Sequence, residues 1–223
     1  MMSAVRVLPP AAIEGHHSSG SGGPDHPMRI ATRRAAGLDA GGWTRELRAE
    51  VAEFFDGLAG QWHTRTSPQR TAVVRDALVR GLDALGSART LAVEVGSGIG
   101  TYSPLLAERF ETVAAIDLSL AMLQSAPRAP ARRIQADGAH LPLRDGSASA
   151  LVLVNAFLFP VEAERVLSRA GALVWVNSSG EQTPIYLSVD DLVAALPGRW
   201  TGISSRAGEG HWCVLRRQGV ARV

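Results

Sequence analysis

The spacing of apolar residues changes near residue 88. Upstream, Trp43, Leu47, Val51 and Phe55 recur every fourth position, and Leu58 and Trp62 extend the stripe. That period is helical, so a helix is expected over residues 43–58, loosened at its end by Gly57 and Gly60. Ser67 and Pro68 announce a second helix: a hydroxyl to cap the first turn, then a proline whose missing N–H is not needed there. This helix carries Val74, Leu78, Leu82 and Leu85, and Gly86 ends it. Downstream, short apolar runs replace the fourfold rhythm. "TLAVEV" (90–95), "TVAAID" (112–117), "RRIQAD" (132–137), "ALVLVNA" (150–156) and "ALVWVNS" (172–178) predict strands. Between them stand "SPLLAERF" (103–110), with Ser103 as N-cap and Pro104 in the first turn, and "SLAMLQSA" (119–126), capped by Ser119. "VEAERVLSRAG" (161–171) reads as a helix stopped by Gly171, and "SVDDLVAAL" (188–196) as one with a Ser-x-x-Asp start. "TGISSR" (201–206) and "HWCVLRR" (211–217) close the pattern as two strands around "AGEG".

Strands alternating with helices imply a parallel sheet covered on both faces. The last two strands are joined by too few residues for a helical crossover, so they should pair as an antiparallel hairpin. The expected fold class is α/β: a Rossmann-like, seven-stranded, mostly parallel sheet with helices on both faces, an antiparallel C-terminal hairpin and two N-terminal helices. No internal repeat divides it. Residues 43–223 read as one domain, with helices or a lid over 43–87 and the core over 88–223. Residues 1–42 read differently. "GHHSSGSGGPDHP" is too poor in apolar residues to bury a core, and the whole stretch is expected to be a disordered leader. His16, His17 and His26 invite a metal-binding reading, but a flexible tail accounts for them better.

At 223 residues the chain is long enough for one full α/β core. Its formal charge of +2 is nearly balanced and no dense basic block appears, which gives a nucleic-acid partner no electrostatic support. Every cationic side chain counted among the 23 Lys and Arg is Arg, which says little about function. The single cysteine, Cys213, can form neither an internal disulfide nor a metal cluster; it reads as a buried strand residue and suits a reducing cytoplasm. No apolar run reaches the ~18–20 residues of a membrane span. "MMSAVRVLPP" is too short and proline-rich for a secretory signal.

In an open α/β sheet, ligands bind beyond the carboxyl ends of the strands, so the loop after the first long apolar strand is the first place to look. "EVGSGIG" puts Gly96, Gly98 and Gly100 there, where absent side chains admit a ligand to the backbone. A dinucleotide fingerprint needs a small residue at the sixth position from Gly96, and Thr101 stands there instead. Glu94 beside the loop would repel a pyrophosphate but suits a ligand bearing an ammonium and a sulfonium. Asp117 ends the second of these strands, where a carboxylate can accept both hydroxyls of a ribose. Asp137 ends the third, followed by Gly138 and Ala139, where an adenine amino group and ring can be read. Three acidic residues at the ends of three successive strands point to an adenosine ligand.

These segments resemble the class I S-adenosylmethionine-dependent methyltransferases over residues 51–217, most closely the small-molecule members of ubiquinone and menaquinone biosynthesis. "VEVGSGIGT" resembles motif I, "AAIDLS" motif II, and "ADGAHLPLRDGSASALVLVNAF" the adenine loop and fourth strand. "RVLSRAGALVWVNS" is similar to the fifth-strand motif, and "FFDGLAGQW" to the helix leading into the family's lid. The resemblance implies S-adenosyl-L-methionine as cofactor. Glu94, Gly96 and Gly98, with Gly100 in the same loop, would serve its methionine end. Asp117 would hold the ribose, with Leu118 behind it flanking the adenine. Asp137, Gly138 and Ala139 would read the adenine edge, and the backbone of Asn155 would meet the amino-acid portion. The family's acidic opening of the fourth strand is absent from "SASALVLV", which keeps a non-catalytic relative of the fold open as an alternative. An NAD-dependent oxidoreductase is a more distant one.

In-line methyl transfer from a sulfonium rests on alignment and water exclusion, so no catalytic dyad is required. Where a proton must leave the acceptor, His63 in the lid segment is the best-placed base, although an exposed helix-end histidine would look the same in sequence. His140 reads as structural, and His211 carries little weight. Gln182 and Tyr186 are candidates to border the acceptor, and Trp43 and Trp62 to wall it. "VNAFLF" lacks the [DN]-P-P-[YFW] motif of amino-methylating nucleic-acid enzymes, no Pro-Cys nucleophile follows, and no acidic cluster suggests a magnesium site. The expected partner is a small organic acceptor; the oligomeric state is left open.

Overall fold

The computed structural model describes residues 4–15, 22–86, 88–128 and 130–218. His16 and His17 lie outside the described residues. A single mixed sheet of eight strands forms the body, in the order β1-β7-β8-β6-β5-β2-β3-β4. β2 (Leu91–Val95), β3 (Thr112–Asp117), β4 (Arg132–Gln135), β5 (Ala148–Val154) and β6 (Leu167–Asn177) are parallel neighbours. The hairpin of β7 (Trp200–Ala207) and β8 (Gly210–Arg217) folds back so that β8 pairs antiparallel with both β6 and β7. Alternate residues of the strands feed two apolar cores. Val93, Ile116, Leu153, Leu173 and Trp175 face one side, and Ala92, Val113, Val152, Val174 and Val214 the other. Cys213 of β8 is buried, and burial pushes its thiol pKa far up.

The strand count is eight where seven were expected. The extra strand, β1 (Ala4–Val7), lies inside the stretch expected to be a disordered leader and pairs parallel with β7, Ala4 opposite Thr201. Beyond it, the N–H groups of Leu8 and Ala11 donate to the Ser204 and Arg206 carbonyls at 2.8 and 2.9 Å. Composition averaged over 42 residues hides this short β-branched run, whose partner is almost 200 residues away in sequence.

A third N-terminal helix, α1 (Pro27–Ala35), also falls in that stretch. His26 caps it, its Nδ1 accepting the Met28 N–H at 3.1 Å. Met28, Ala31, Thr32 and Ala35 form the buried face at helical spacing. Arg29 anchors the helix to the loop after β6: its guanidinium donates to the carbonyls of Gly22, Glu181 and Thr183 at 2.6, 2.7 and 2.9 Å and lies 4.7 Å from the Tyr186 ring centroid.

Thr44 caps α2 (Arg45–Leu58), which runs on into a 3-10 segment (Ala59–Arg65). Ser67 caps α3 (Pro68–Asp76) as expected. That helix widens into a π-helical stretch (Ala77–Leu82) and ends in one last turn, α4 (Asp83–Leu85), at left-handed Gly86. Gly81 explains how closely this stretch lies on β8: a Cβ there would sit 2.5 Å from Val214 Cγ2 and 2.8 Å from Trp212 Cζ3. Gly81→Ala should therefore destabilise the protein. Overpacking costs about 1–3 kcal/mol, and the ~1 kcal/mol gained in helix propensity leaves a net loss of about 1 kcal/mol. A lowered urea midpoint with an unchanged slope is the expected reading; a raised midpoint would show that the helix can lift from β8 without cost.

The remaining helices are α5 (Ser103–Ala107), α6 (Leu120–Ser125), α7 (Pro160–Val166) and α8 (Val189–Ala195). Ser119 and Ser188 cap α6 and α8 through the N–H groups of Met122 and Asp191. Two local expectations fail. Ser103 is not a cap, because its hydroxyl donates to Glu94 instead. The helix expected to reach Gly171 ends at Val166, and β6 begins at once. Gly171 serves strand packing: a Cβ there would stand 2.8 Å from the Ala148 carbonyl oxygen of β5.

Candidate active site

The parallel strands deliver their carboxyl ends to one cavity of about 240 Å³. The loops after β2, β3, β4 and β5 make its floor, and α2, the 3-10 segment and the start of α1 make its roof.

Gly96, Ser97 and Gly98 follow β2 and line the cavity, the two glycines at φ of +67° and +54°. Side-chain-bearing residues rarely adopt this left-handed turn. A Cβ on Gly98 would point at Trp62, 3.4 Å from its Nε1. Asp117 at the end of β3 ties this loop down. Its Oδ2 accepts the Gly98 N–H at 2.7 Å and its Oδ1 the Ser119 N–H at 2.8 Å. Burial, above all, raises the Asp117 pKa, against the lowering effect of the Ser119, Gly98 and Leu118 N–H groups. Leu118, Asp137 and Gly138 line the same cavity. The Ala139 N–H donates to Asp137 Oδ1 at 2.9 Å, but Ala139 does not itself line the cavity.

Asn155, just after β5, is the one non-glycine residue with positive φ among the described residues, at +50°. Its amide is spent on β6: Nδ2 donates to Ser178 Oγ and Oδ1 accepts the Ser178 N–H, both at 2.8 Å. The two strand ends are thereby locked together beside the ligand space, and Asn155 lines it.

Glu94 and Gly100 lie behind this lining. Glu94 is only 2% exposed and accepts the Ser103 hydroxyl at 2.5 Å. Burial, above all, pushes its pKa up to about 7; the Ser103 hydrogen bond opposes the rise and the neighbouring Asp117 charge adds to it. Gly100, at φ +73°, faces Ser103. His63 is exposed on the 3-10 segment and does not line the cavity, whereas its neighbour Trp62 does. His140 is exposed too, and Tyr186 lies beneath Arg29. Trp43 and Gln182 line the cavity. So do His26, Met28, Ser97, Arg70 and Tyr102, none of which sequence reasoning singled out for the ligand site. For His26 the readable signal was the following proline, which marks a helix start. Among the described residues no three potential metal ligands come together, and no helix is long and apolar enough to cross a membrane.

Residues 93–174 match the model of a family described as a methyltransferase domain. None of the curated proteins matches the chain. Among solved structures, the chain is similar to DhpI in its complex with SAH: TM-score 0.64 at 17% identity, covering 80% of this chain and all of that one. It is also similar to a proposed S-adenosyl-L-methionine-dependent methyltransferase from Methanococcus maripaludis, with TM-score 0.56, 16% identity, and 77% and 94% of the two chains covered. At such identities these likenesses speak for the fold. The fold is shared with these two structures, and the methyltransferase-domain match spans β2 to β6. S-adenosyl-L-methionine is the group that this fold implies for the site. The residues fit it: Gly98 leaves open the space a Cβ would take, and the buried Ser97 hydroxyl on the cavity wall has no partner.

Proposed function

We propose that this protein is a methyltransferase that passes a methyl group in-line to a small organic acceptor. When bound, the cofactor supplies a methyl group already activated on a sulfonium. The protein's own residues bind, orient and exclude water. Asp117 accepts the ribose hydroxyls while holding the glycine turn through Gly98. Asp137, held by the Ala139 N–H, and Gly138 meet the adenine edge, Leu118 flanks its face, and Ser97 with the backbone near Asn155 serves the methionine end. Glu94 sets the loop from behind through Ser103. The observation that carries this reading is the Asp117–Gly98 bond, which couples the first two strand ends in a cavity lined by an adenosine-suited carboxylate set.

The acceptor reading rests on the apolar side of the cavity. Phe54, Phe55, Leu58, Trp62, Phe157 and Ile185 give it an apolar wall, suited to an aromatic or lipid-like molecule of modest size. The sequence likeness to methyltransferases of ubiquinone and menaquinone biosynthesis points the same way. In-line transfer from a sulfonium asks mainly for alignment, so the reading does not depend on His63 as a base. Calorimetry with S-adenosylhomocysteine tests the cofactor end: micromolar binding, with NAD binding far weaker, is expected. No heat at millimolar ligand would remove the proposal. Transfer of labelled methyl groups to a panel of small aromatic and isoprenoid acceptors tests the rest.

A further inference from the structure

The carboxylate of Asp137 is engaged by the protein itself. Its Oδ1 accepts the Ala139 N–H at 2.9 Å. The Trp43 indole N–H forks across both oxygens, at 3.1 Å to Oδ1 and 3.2 Å to Oδ2. Arg48 Nη1 stands 3.5 Å from Oδ2. A carboxylate offers about four acceptor directions. The Ala139 bond takes one, the forked indole N–H lies across both oxygens, and the guanidinium pairs at longer range. Packing holds the indole in this place, with Phe159 edge-on at 5.1 Å and Phe157 tilted at 5.4 Å between ring centroids.

Trp43 stands just before α2 and Arg48 in its first turn, and the far end of the same helix is tied to the Asp117 loop. There Asp56 accepts the Ser119 hydroxyl and, at 3.3 Å, the Ala121 N–H. One helix therefore bridges the two carboxylate loops of the cavity, and its near end occupies the acceptor that an adenine amino group needs.

We propose that Trp43 and the adenine amino group compete for Asp137, which makes the start of α2 a latch that cofactor binding releases. The proposal rests on the cofactor reading above. An amino group reaching Asp137 meets the indole N–H already lying across both carboxylate oxygens. Arg48 is easily moved, since its side chain is 45% exposed, whereas the indole is wedged between aromatic rings. Trp43 also lines the cavity alongside Met28 and Phe157, so its release reshapes the wall that faces the acceptor. The cofactor then binds first and completes the acceptor site, and Trp43 acts as a positioning residue in that order of binding.

The test compares wild type with Trp43→Phe, which keeps an aromatic ring against Phe157 and Phe159 and removes only the N–H competitor. Calorimetry with S-adenosylhomocysteine should show the variant binding about fivefold more tightly. In the wild type, amide hydrogen exchange at residues 44–48 should speed up when the ligand saturates. Equal or weaker binding by Trp43→Phe, or slower exchange at 44–48, would overturn the latch and make Trp43 a fixed wall. Silence from both proteins at millimolar ligand would instead bring down the cofactor reading, and the latch with it. Binding by the variant alone would support the latch in its strongest form.

Discussion

Replacing Asp117 with alanine is expected to weaken S-adenosylhomocysteine binding by at least about a hundredfold. The side chain does two things at once. It closes the glycine turn by accepting the Gly98 N–H at 2.7 Å, and it holds its own loop through the Ser119 N–H at 2.8 Å. Asp117 lines the cavity, where the two ribose hydroxyls would donate to it. A hydrogen bond to a charged acceptor contributes about 1.5–3 kcal/mol, so losing two removes about 3 kcal/mol or more, and each ~1.4 kcal/mol is a tenfold change in affinity. Alanine also leaves the Gly98 and Ser119 N–H groups without their acceptor, which loosens the turn before any ligand arrives. Asparagine does not restore the site: its single carbonyl oxygen can serve one backbone N–H, and its amide NH₂ faces the other donor. Isothermal calorimetry on both variants, with circular dichroism to show that they remain folded, checks the claim. A folded Asp117→Ala protein that binds within threefold of wild type would mean that the ribose is held elsewhere.

The strand ends that build this site were readable because they are local. "TVAAID" is a strand over the expected residues, and Ser67, Ser119 and Ser188 cap the helices they precede. A cap or a buried run is decided within a few residues, by satisfied N–H groups and apolar burial. What escaped was set by distant partners. β1 is a strand because β7 offers it an edge. Ser103 looks like a cap, yet a buried Glu94 nine positions upstream is the stronger acceptor for its hydroxyl. Gly171 looks like a helix stop, yet the Ala148 carbonyl on the neighbouring strand is what excludes a side chain there. The site divides in the same way. Asp117, Asp137 and the glycine loop stood out from their positions at strand ends, whereas the bond from Trp43 to Asp137 joins residues 94 positions apart and no local pattern marks it. His26 reaches the cavity only because Arg29 pins α1 to backbone carbonyls after β6, a contact that composition alone describes as a polar tail.

Glu94 should cost the protein stability as pH rises from about 4.5 to about 7. Its carboxyl is fully enclosed beneath the glycine loop, with the Ser103 hydroxyl as its hydrogen-bond donor and the Asp117 charge nearby. Burial penalises the ionised form and lifts the pKa from an ordinary 4.5 to about 7. The sign follows from proton counting. Between these two values the folded protein holds the proton and the unfolded chain releases it, so raising the pH favours unfolding. The contribution is intact below about pH 4.5, is lost progressively up to about pH 7, and is constant above that. At ~1.4 kcal/mol per pH unit, the loss amounts to about 3 kcal/mol. Glu94→Gln keeps the shape and holds the position neutral at every pH, so it should lack this slope. Other titrating groups cancel when the two proteins are compared, and the informative quantity is the stability of Glu94→Gln minus that of wild type. Urea unfolding at a series of pH values should show that difference rising by about 3 kcal/mol between about pH 4 and about pH 8. A difference that stays flat would mean that Glu94 ionises at its ordinary pKa, and hence that water or a cation reaches it beneath the loop. The same experiment with saturating S-adenosylhomocysteine separates two roles for this residue. If Glu94 only supports the loop from behind, the rise persists with ligand bound. If the ligand's ammonium stabilises the ionised carboxylate, the folded pKa falls and the rise shrinks.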